Sequence, residues 1–142
     1  MKYIKTSNII FFHDYRTLPL PIARLRRVAE KISRDNEIIR GATVNVILVS
    51  DYKIRRLNRK YRKRDRVTDV LSFPFPDSDF LGEIYISLQR AAVQARRYGC
   101  TYSDEVTRLF VHGLLHLLGY DHQTGKDRQV MEVQEKRYCL IG

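Results

Sequence analysis

The sequence predicts an α+β fold: a single domain with a mixed sheet of about four strands, flanked by helices, around a central helix that carries a candidate metal site. Three observations lead there. Strand-like apolar runs fall at residues 2–12, 43–49, 70–75 and 81–87, and the helical stretches between them come irregularly, which excludes a doubly wound alternation. Residues 103–117 are apolar on several sides, as suits a helix covered by other elements. Finally, 142 residues at 44% hydrophobic content suffice for one core, and no repeat, low-complexity tract or Gly/Ser linker divides them.

The elements follow in order. Residues 2–12 read as a first strand. Pro21 suits a helix start, and Ile22, Leu25, Val28, Ala29 and Ile32 recur at helical spacing to about Asp35. Thr43 to Val49 is β-branched and apolar, a buried strand. Ser50 or Asp51 can cap the next helix, whose inner face is Ile54, Leu57 and Tyr61. A loop from Lys63 to Thr68 leads to a strand at Val70–Phe75, which Pro74 and Pro76 confine to an edge or end. Pro76 to Phe80 reads as a turn and Leu81 to Ser87 as another strand. Ser87 caps a helix with Leu88, Ala91, Ala92 and Ala95 inside and Gly99 at its end. Ser103 is expected to cap the central helix, and Thr124 to open a last one packed through Val130, Met131 and Val133.

Composition excludes several classes. No apolar run reaches the roughly 18 residues of a membrane span, so no membrane partner is expected. Residues 1–12 lack the apolar core and cleavage site of a signal peptide, which points to the cytoplasm. Cys100 and Cys139 form no CxxC pattern and read as reduced, inert thiols. Lys and Arg number 26 against 16 Asp and Glu, a net charge of +10. Such an excess suits a polyanion, nucleic acid above all. It concentrates at residues 53–66, where Lys53, Arg55, Arg56, Arg59, Lys60, Arg62, Lys63, Arg64 and Arg66 make nine bases of fourteen residues, with Asp65 the only acid. A solvated helix face normally mixes signs. This one forgoes such pairing, and a phosphate backbone supplies the missing counter-charge.

The chemistry concentrates at residues 112–122, His-Gly-Leu-Leu-His-Leu-Leu-Gly-Tyr-Asp-His. Two histidines four apart on a helix differ by about 40° and roughly 6 Å, so His112 and His116 share one face. Gly119 can end the helix in a left-handed turn and return His122 to the same ion. Three neutral nitrogen ligands leave a position open, as in catalytic zinc sites. One zinc ion is expected, and another divalent ion would serve. His13 stands apart and is given no role.

The spacing matches the zincin signature H-E-x-x-H-x-x-G-x-x-H except at Gly113, where proteases carry the Glu that acts as general base. A metal held this way can still polarise a phosphodiester or activate water. Arg62 is a candidate catalytic residue, because its fork matches phosphate oxygens in pairs. It can equally be one more backbone contact. Asp121 is the other candidate: a carboxylate that orients a ligand imidazole, an organiser of the turn, or a general base.

These residues resemble a known family. The run His112–His122 is similar to the signature of the YbeY family, bacterial rRNA maturation endoribonucleases. Leu57-Asn58, Tyr61-Arg62, Asp65 and Thr68-Asp69-Val70-Leu71-Ser72-Phe73-Pro74 resemble its second motif, and Leu81-Gly82-Glu83-Ile84 with Ile86-Ser87 a third. Arg64 stands where a Lys is common, and none of the family's motifs is placed in the first forty residues. The resemblance implies a single-domain α+β fold with a three-histidine metal, usually taken as zinc. It implies single-strand-specific RNA cleavage in 16S rRNA 3′-end maturation and ribosome quality control. Single-stranded RNA, 16S rRNA and ribosomal particles are then the expected partners, and the family's functional Arg falls on Arg62. Two rivals stand beside this reading: a non-catalytic ribosome-assembly factor with a structural metal, and a metzincin-like protease.

Overall fold

In the computed structural model, residues 2–77, 79–120 and 124–139 are described. The chain runs β1 (Lys2–Thr6), β2 (Ile9–His13), α1 (Ile22–Asp35), α2 (Glu37–Arg40), β3 (Thr43–Val49), α3 (Asp51–Arg62), β4 (Val70–Pro74), β5 (Phe80–Ser87), α4 (Leu88–Tyr98), α5 (Tyr102–Leu117) and α6 (Gly125–Cys139). The sheet order is β1-β2-β3-β5-β4. The two outer pairs are antiparallel, and β3 lies parallel to both β2 and β5. The fold is therefore the expected α+β domain with a mixed sheet. No helix among the described residues is long and apolar enough to cross a membrane.

The sheet has five strands rather than about four. The run 2–12 breaks at Ser7, whose φ of 54° turns the chain so that Thr6 pairs with Ile9. Ser-Asn is a turn pair, and its signal was hidden inside an otherwise strand-like run. The short α2 was also not expected. Asn36 initiates it, its side chain accepting from the N–H groups of Ile38 and Ile39 at 3.0 and 3.2 Å.

Most helix ends fall where the sequence puts them. Ser50 Oγ accepts from Lys53 N, and Ser87 Oγ from Arg90 N, both at 3.1 Å. The cap of α5 is Thr101, not Ser103. Thr101 Oγ1 accepts from Asp104 N at 3.0 Å, and Asp104 Oδ2 accepts from Thr101 N at 3.2 Å. This reciprocal box satisfies two backbone donors, which Ser103, already inside the first turn, cannot do.

Period-two alternation divides the core. Val44, Val46 and Leu48 of β3, with Ile84 and Ile86 of β5, face α1 and α5. Phe11 meets Phe110 of α5 there, their ring centres 5.2 Å apart. Ile47, Val49 and Leu71 face the other way, under Ile54 and Leu57 of α3. Helix α5 is thus central, with Val106, Phe110, Val111 and Leu114 fully buried. Tyr61 departs from its expected inner place, being 56% exposed.

Helix α6 corrects another expectation. Val130 and Val133 are 45% and 63% exposed, while Met131 and Tyr138 are buried. Its inward stripe is Met131, Gln134, Glu135 and Tyr138. Two of these are polar, so hydrophobicity pointed to the wrong face. Arg24 of α1 ties the layers together, bonding the carboxylate of Asp104 and the carbonyl of Cys139. His13 has a structural bond through Nε2 to the Leu18 carbonyl at 2.8 Å. Both cysteines are free, and burial pushes the Cys139 thiol up to about 11, keeping it protonated and unreactive.

Candidate active site

Helix α5 presents His112 and His116 one turn apart, and their Nε2 atoms lie 3.1 Å from each other. Two nitrogens on one tetrahedral zinc, each bonded at 2.0–2.1 Å, stand about 3.3–3.4 Å apart. The pair therefore fits a shared ion. Nδ1 of His112 bonds the carboxylate of Glu135 from α6. A carboxylate on Nδ1 favours the tautomer with the proton there, in which Nε2 carries the lone pair a metal needs. Sequence reasoning missed Glu135, since nothing local announces a partner 23 residues away on another helix.

The helix ends in the reversal that the sequence predicts at Gly119. Gly119 has φ of 97°. Tyr120 N–H returns to the Leu115 carbonyl and Gly119 N–H to the His116 carbonyl, both at 3.0 Å. This is the Schellman pattern, which reverses the chain after a helix. His122 and Asp121 themselves lie outside the described residues.

Gly113 shows why the protease Glu is absent. Its carbonyl accepts from Ser72 Oγ at 3.1 Å. A Cβ there would come within 2.6 Å of Ile84 Cγ2 and 3.2 Å of Ser72 Oγ. Ile84 is fully buried and its β-branched methyl cannot swing away. Helix and sheet meet too closely for any side chain. Gly113→Ala is expected to destabilise the protein by up to about 2 kcal/mol, since a contact this close puts overpacking at the upper end of its usual range, above the ~1 kcal/mol that alanine returns in helix propensity. Gly113→Glu should cost more and create no protease. Denaturant melts check both, and an unchanged midpoint for Gly113→Ala would contradict the close contact.

Across from the histidines runs a cleft of about 770 Å³. Asp69 and Ser72 of the β4 edge line it, as do Asn58, Arg62, Arg64 and Arg66. Because β4 is an edge strand, its outer carbonyls are open, and Arg62 Nη2 donates to the Ser72 carbonyl at 2.7 Å. The guanidinium also lies 5.2 Å over the Phe73 ring. Five N–H donors in a fork leave others for a ligand. Asn58, only 3% exposed, anchors the loop after α3. Its Nδ2 donates to the Arg66 carbonyl at 3.0 Å, and its own carbonyl accepts from Arg64 N at 3.3 Å. That anchoring brings Arg64 and Arg66 to the cleft.

The other bases of the segment are arranged less uniformly than expected. Arg56, Arg59, Lys60 and Lys63 are exposed. Lys53 instead pairs with Asp14 at 3.0 Å, and Arg55 with Asp65 at 2.9 Å. The segment does not forgo all its ion pairs. Asp14 is distant in sequence, and Asp65 lies beyond the helix end, so helical i,i+4 reasoning could not find them.

The profile of the family described as Endoribonuclease YbeY matches residues 17–140. The chain belongs to the YbeY family. It is 42% identical over 132 residues to Endoribonuclease YbeY of Solibacter usitatus, covering 93% of this chain and 85% of that one. It is 40% identical to Endoribonuclease YbeY of Endomicrobium trichonymphae, covering 96% of each. The solution structure of TM1509 from Thermotoga maritima is also similar, with a TM-score of 0.67 and 34% identity over 92% of this chain and 86% of that one.

In this YbeY-family chain a polar network backs the cleft. Asp69 Oδ2 accepts from Gln94 at 3.3 Å, and Gln94 also donates to Glu105 at 2.6 Å. Glu105, 1% exposed, accepts twice from Arg108 at 2.8 Å. Those hydrogen bonds raise the Arg108 pKa, so the guanidinium stays charged. The motif containing Asp69 was visible in the sequence, but this network was not.

Proposed function

We infer that this chain is an endoribonuclease of rRNA processing that cuts single-stranded RNA in the cleft between α3 and α5. The observation that carries this reading is one cleft lined by both the His112/His116 pair and three arginines. In a YbeY-family protein this joins a fit for a metal to a fit for phosphate. His112, His116 and His122 would hold one zinc ion or another divalent ion. When bound, the ion supplies Lewis acidity toward a phosphate oxygen and lowers the pKa of water.

The chain's own residues do the rest. Arg62 donates to the non-bridging oxygens, anchored by Ser72 and Phe73 so that its fork is already oriented. Arg64 and Arg66 hold the neighbouring backbone, and the exposed bases of α3 extend that track. Glu135 keeps the His112 ring in place. Asp121 is retained as an orienting carboxylate or general base. The finer proposal is 16S rRNA 3′-end maturation and ribosome quality control, in the cytoplasm, on ribosomal particles.

The family does not favour the rival readings. A metzincin-like protease further lacks space for its Glu at Gly113. A non-catalytic assembly factor leaves unexplained why Arg62 shares the histidines' cleft.

The test is cleavage of a 16S 3′-end RNA, single-stranded and annealed to its complement, by wild type and His116→Ala purified side by side. Cutting of the single strand by wild type alone is expected. Equal cutting of the duplex, or equal activity from His116→Ala, overturns the reading. A companion prediction concerns α3. Neutralising Arg56, Arg59 and Lys60 should weaken RNA binding for all sequences and flatten log K against log salt by about 0.7 per lost contact. Unchanged affinity and slope would reduce the charge run to a solvated face.

A further inference from the structure

A second cavity, of about 330 Å³, adjoins the cleft. Its walls are Leu57 and Tyr61 of α3, Phe73 and Phe75 from the β4 edge, and Glu83 and Tyr85 of β5. Pro74 lines both cavities, so they meet there. The same elements serve both sides. Helix α3 gives Asn58 and Arg62 to the cleft and Leu57 and Tyr61 to the pocket. Along β4, Ser72 faces the cleft and Phe73 the pocket, as strand alternation requires.

The pocket is an aromatic ladder left partly open. Tyr61 meets Phe73 edge-on with ring centres 5.4 Å apart, and Phe73 meets Tyr85 likewise at 5.8 Å. Yet Tyr61 and Phe75 are 56% and 46% exposed. Their rings flank the opening without completing the core. Two cations flank the ladder, Lys60 5.2 Å over Tyr61 and Arg62 5.2 Å over Phe73. Aromatic rings beside a basic track are the general means of holding unpaired nucleic acid.

We propose that this pocket binds one unpaired base of the RNA strand that occupies the cleft, with guanine the preferred base. The proposal rests on the RNA reading above. Charge decides that a base, not a phosphate, enters. Glu83 is the one carboxylate among the described lining residues, and a carboxylate repels phosphate while it accepts from N–H groups. Burial, then the nearby Glu83, pushes the Tyr85 phenol up, so no second negative charge forms there. Guanine presents two parallel N–H donors, at N1 and N2, that match both carboxylate oxygens. Uracil presents a single N–H. Phosphates stay with Arg62, Arg64 and Arg66, and the base turns across Pro74 into the ladder.

The test is binding of fluorescent, cleavage-resistant 2′-O-methyl strands, one all-uridine and one carrying a single guanosine. Wild type should prefer the guanosine strand. Tyr61→Ala and Phe75→Ala should each weaken its binding by about tenfold without flattening the salt dependence, since stacking and not charge is lost. Tyr61→Phe should restore it. Glu83→Gln should erase the guanosine advantage. If wild type shows salt-dependent RNA binding but both alanine variants match it on both strands, the pocket is no base site and the RNA reading stands. If wild type binds neither strand, the RNA reading falls and this proposal with it.

Discussion

Arg62→Ala is expected to slow single-turnover RNA cleavage by about tenfold to a thousandfold while leaving metal content unchanged. The side chain is exposed and bonds only a strand-edge carbonyl and a ring face among its described contacts, so stability should change little. Arg62 lines the same cleft as His112 and His116, and its fork has N–H donors beyond the one given to Ser72. A donor that binds developing charge acts more strongly in the transition state than on bound substrate, so kcat falls more than affinity. Arg62→Lys should recover only part, because an ammonium keeps the charge and loses the paired geometry. Wild-type cleavage at saturation by Arg62→Ala would exclude a catalytic role. A loss confined to affinity would assign Arg62 to backbone binding with Arg64 and Arg66.

His112→Ala, His116→Ala and His122→Ala are each expected to lose most bound metal and all metal-dependent thermal stabilisation. Binding energy for a site formed only on folding becomes folding energy, about 2.7 kcal/mol when free metal stands at a hundredfold above Kd. Added zinc should raise the wild-type melting temperature and leave the variants unmoved. Glu135→Gln should be intermediate, with metal affinity lowered by about 10- to 100-fold, since it loosens a ligand without removing one. Elemental analysis after dialysis and chelator competition provide the measurements. Full metal stoichiometry in all three histidine variants would refute the assignment.

The helix that carries His112 and His116, its reversal at Gly119 and the basic run around Arg62 were legible because their signals are local. A spacing of four on a helix, a glycine where the helix must reverse, and a run of bases need no knowledge of distant chain. The strand count was miscounted because Ser7 and Asn8 give only two residues of turn signal inside an apolar run. Val130 and Val133 were misplaced because helix α6 turns its polar Glu135 inward to a histidine, and hydropathy cannot anticipate a polar partner. Lys53 and Arg55 looked unpaired because Asp14 and Asp65 reach them only through the fold.

By itself, the sequence determined the α+β class, the helix bearing His112 and His116, its reversal at Gly119 and the basic character of α3. These follow from periodicity, charge and backbone conformation, all short-range in the chain. Tertiary structure alone decided which groups face one another. It set β4 at the sheet edge, so that α3 on one face and α5 on the other look onto a common cleft. It brought Glu135 to His112, and it pressed Gly113 onto Ile84 so that no acid could stand between the histidines. Packing of helices on a sheet joins residues far apart in sequence, and those pairings depend on shape and register that no local pattern encodes.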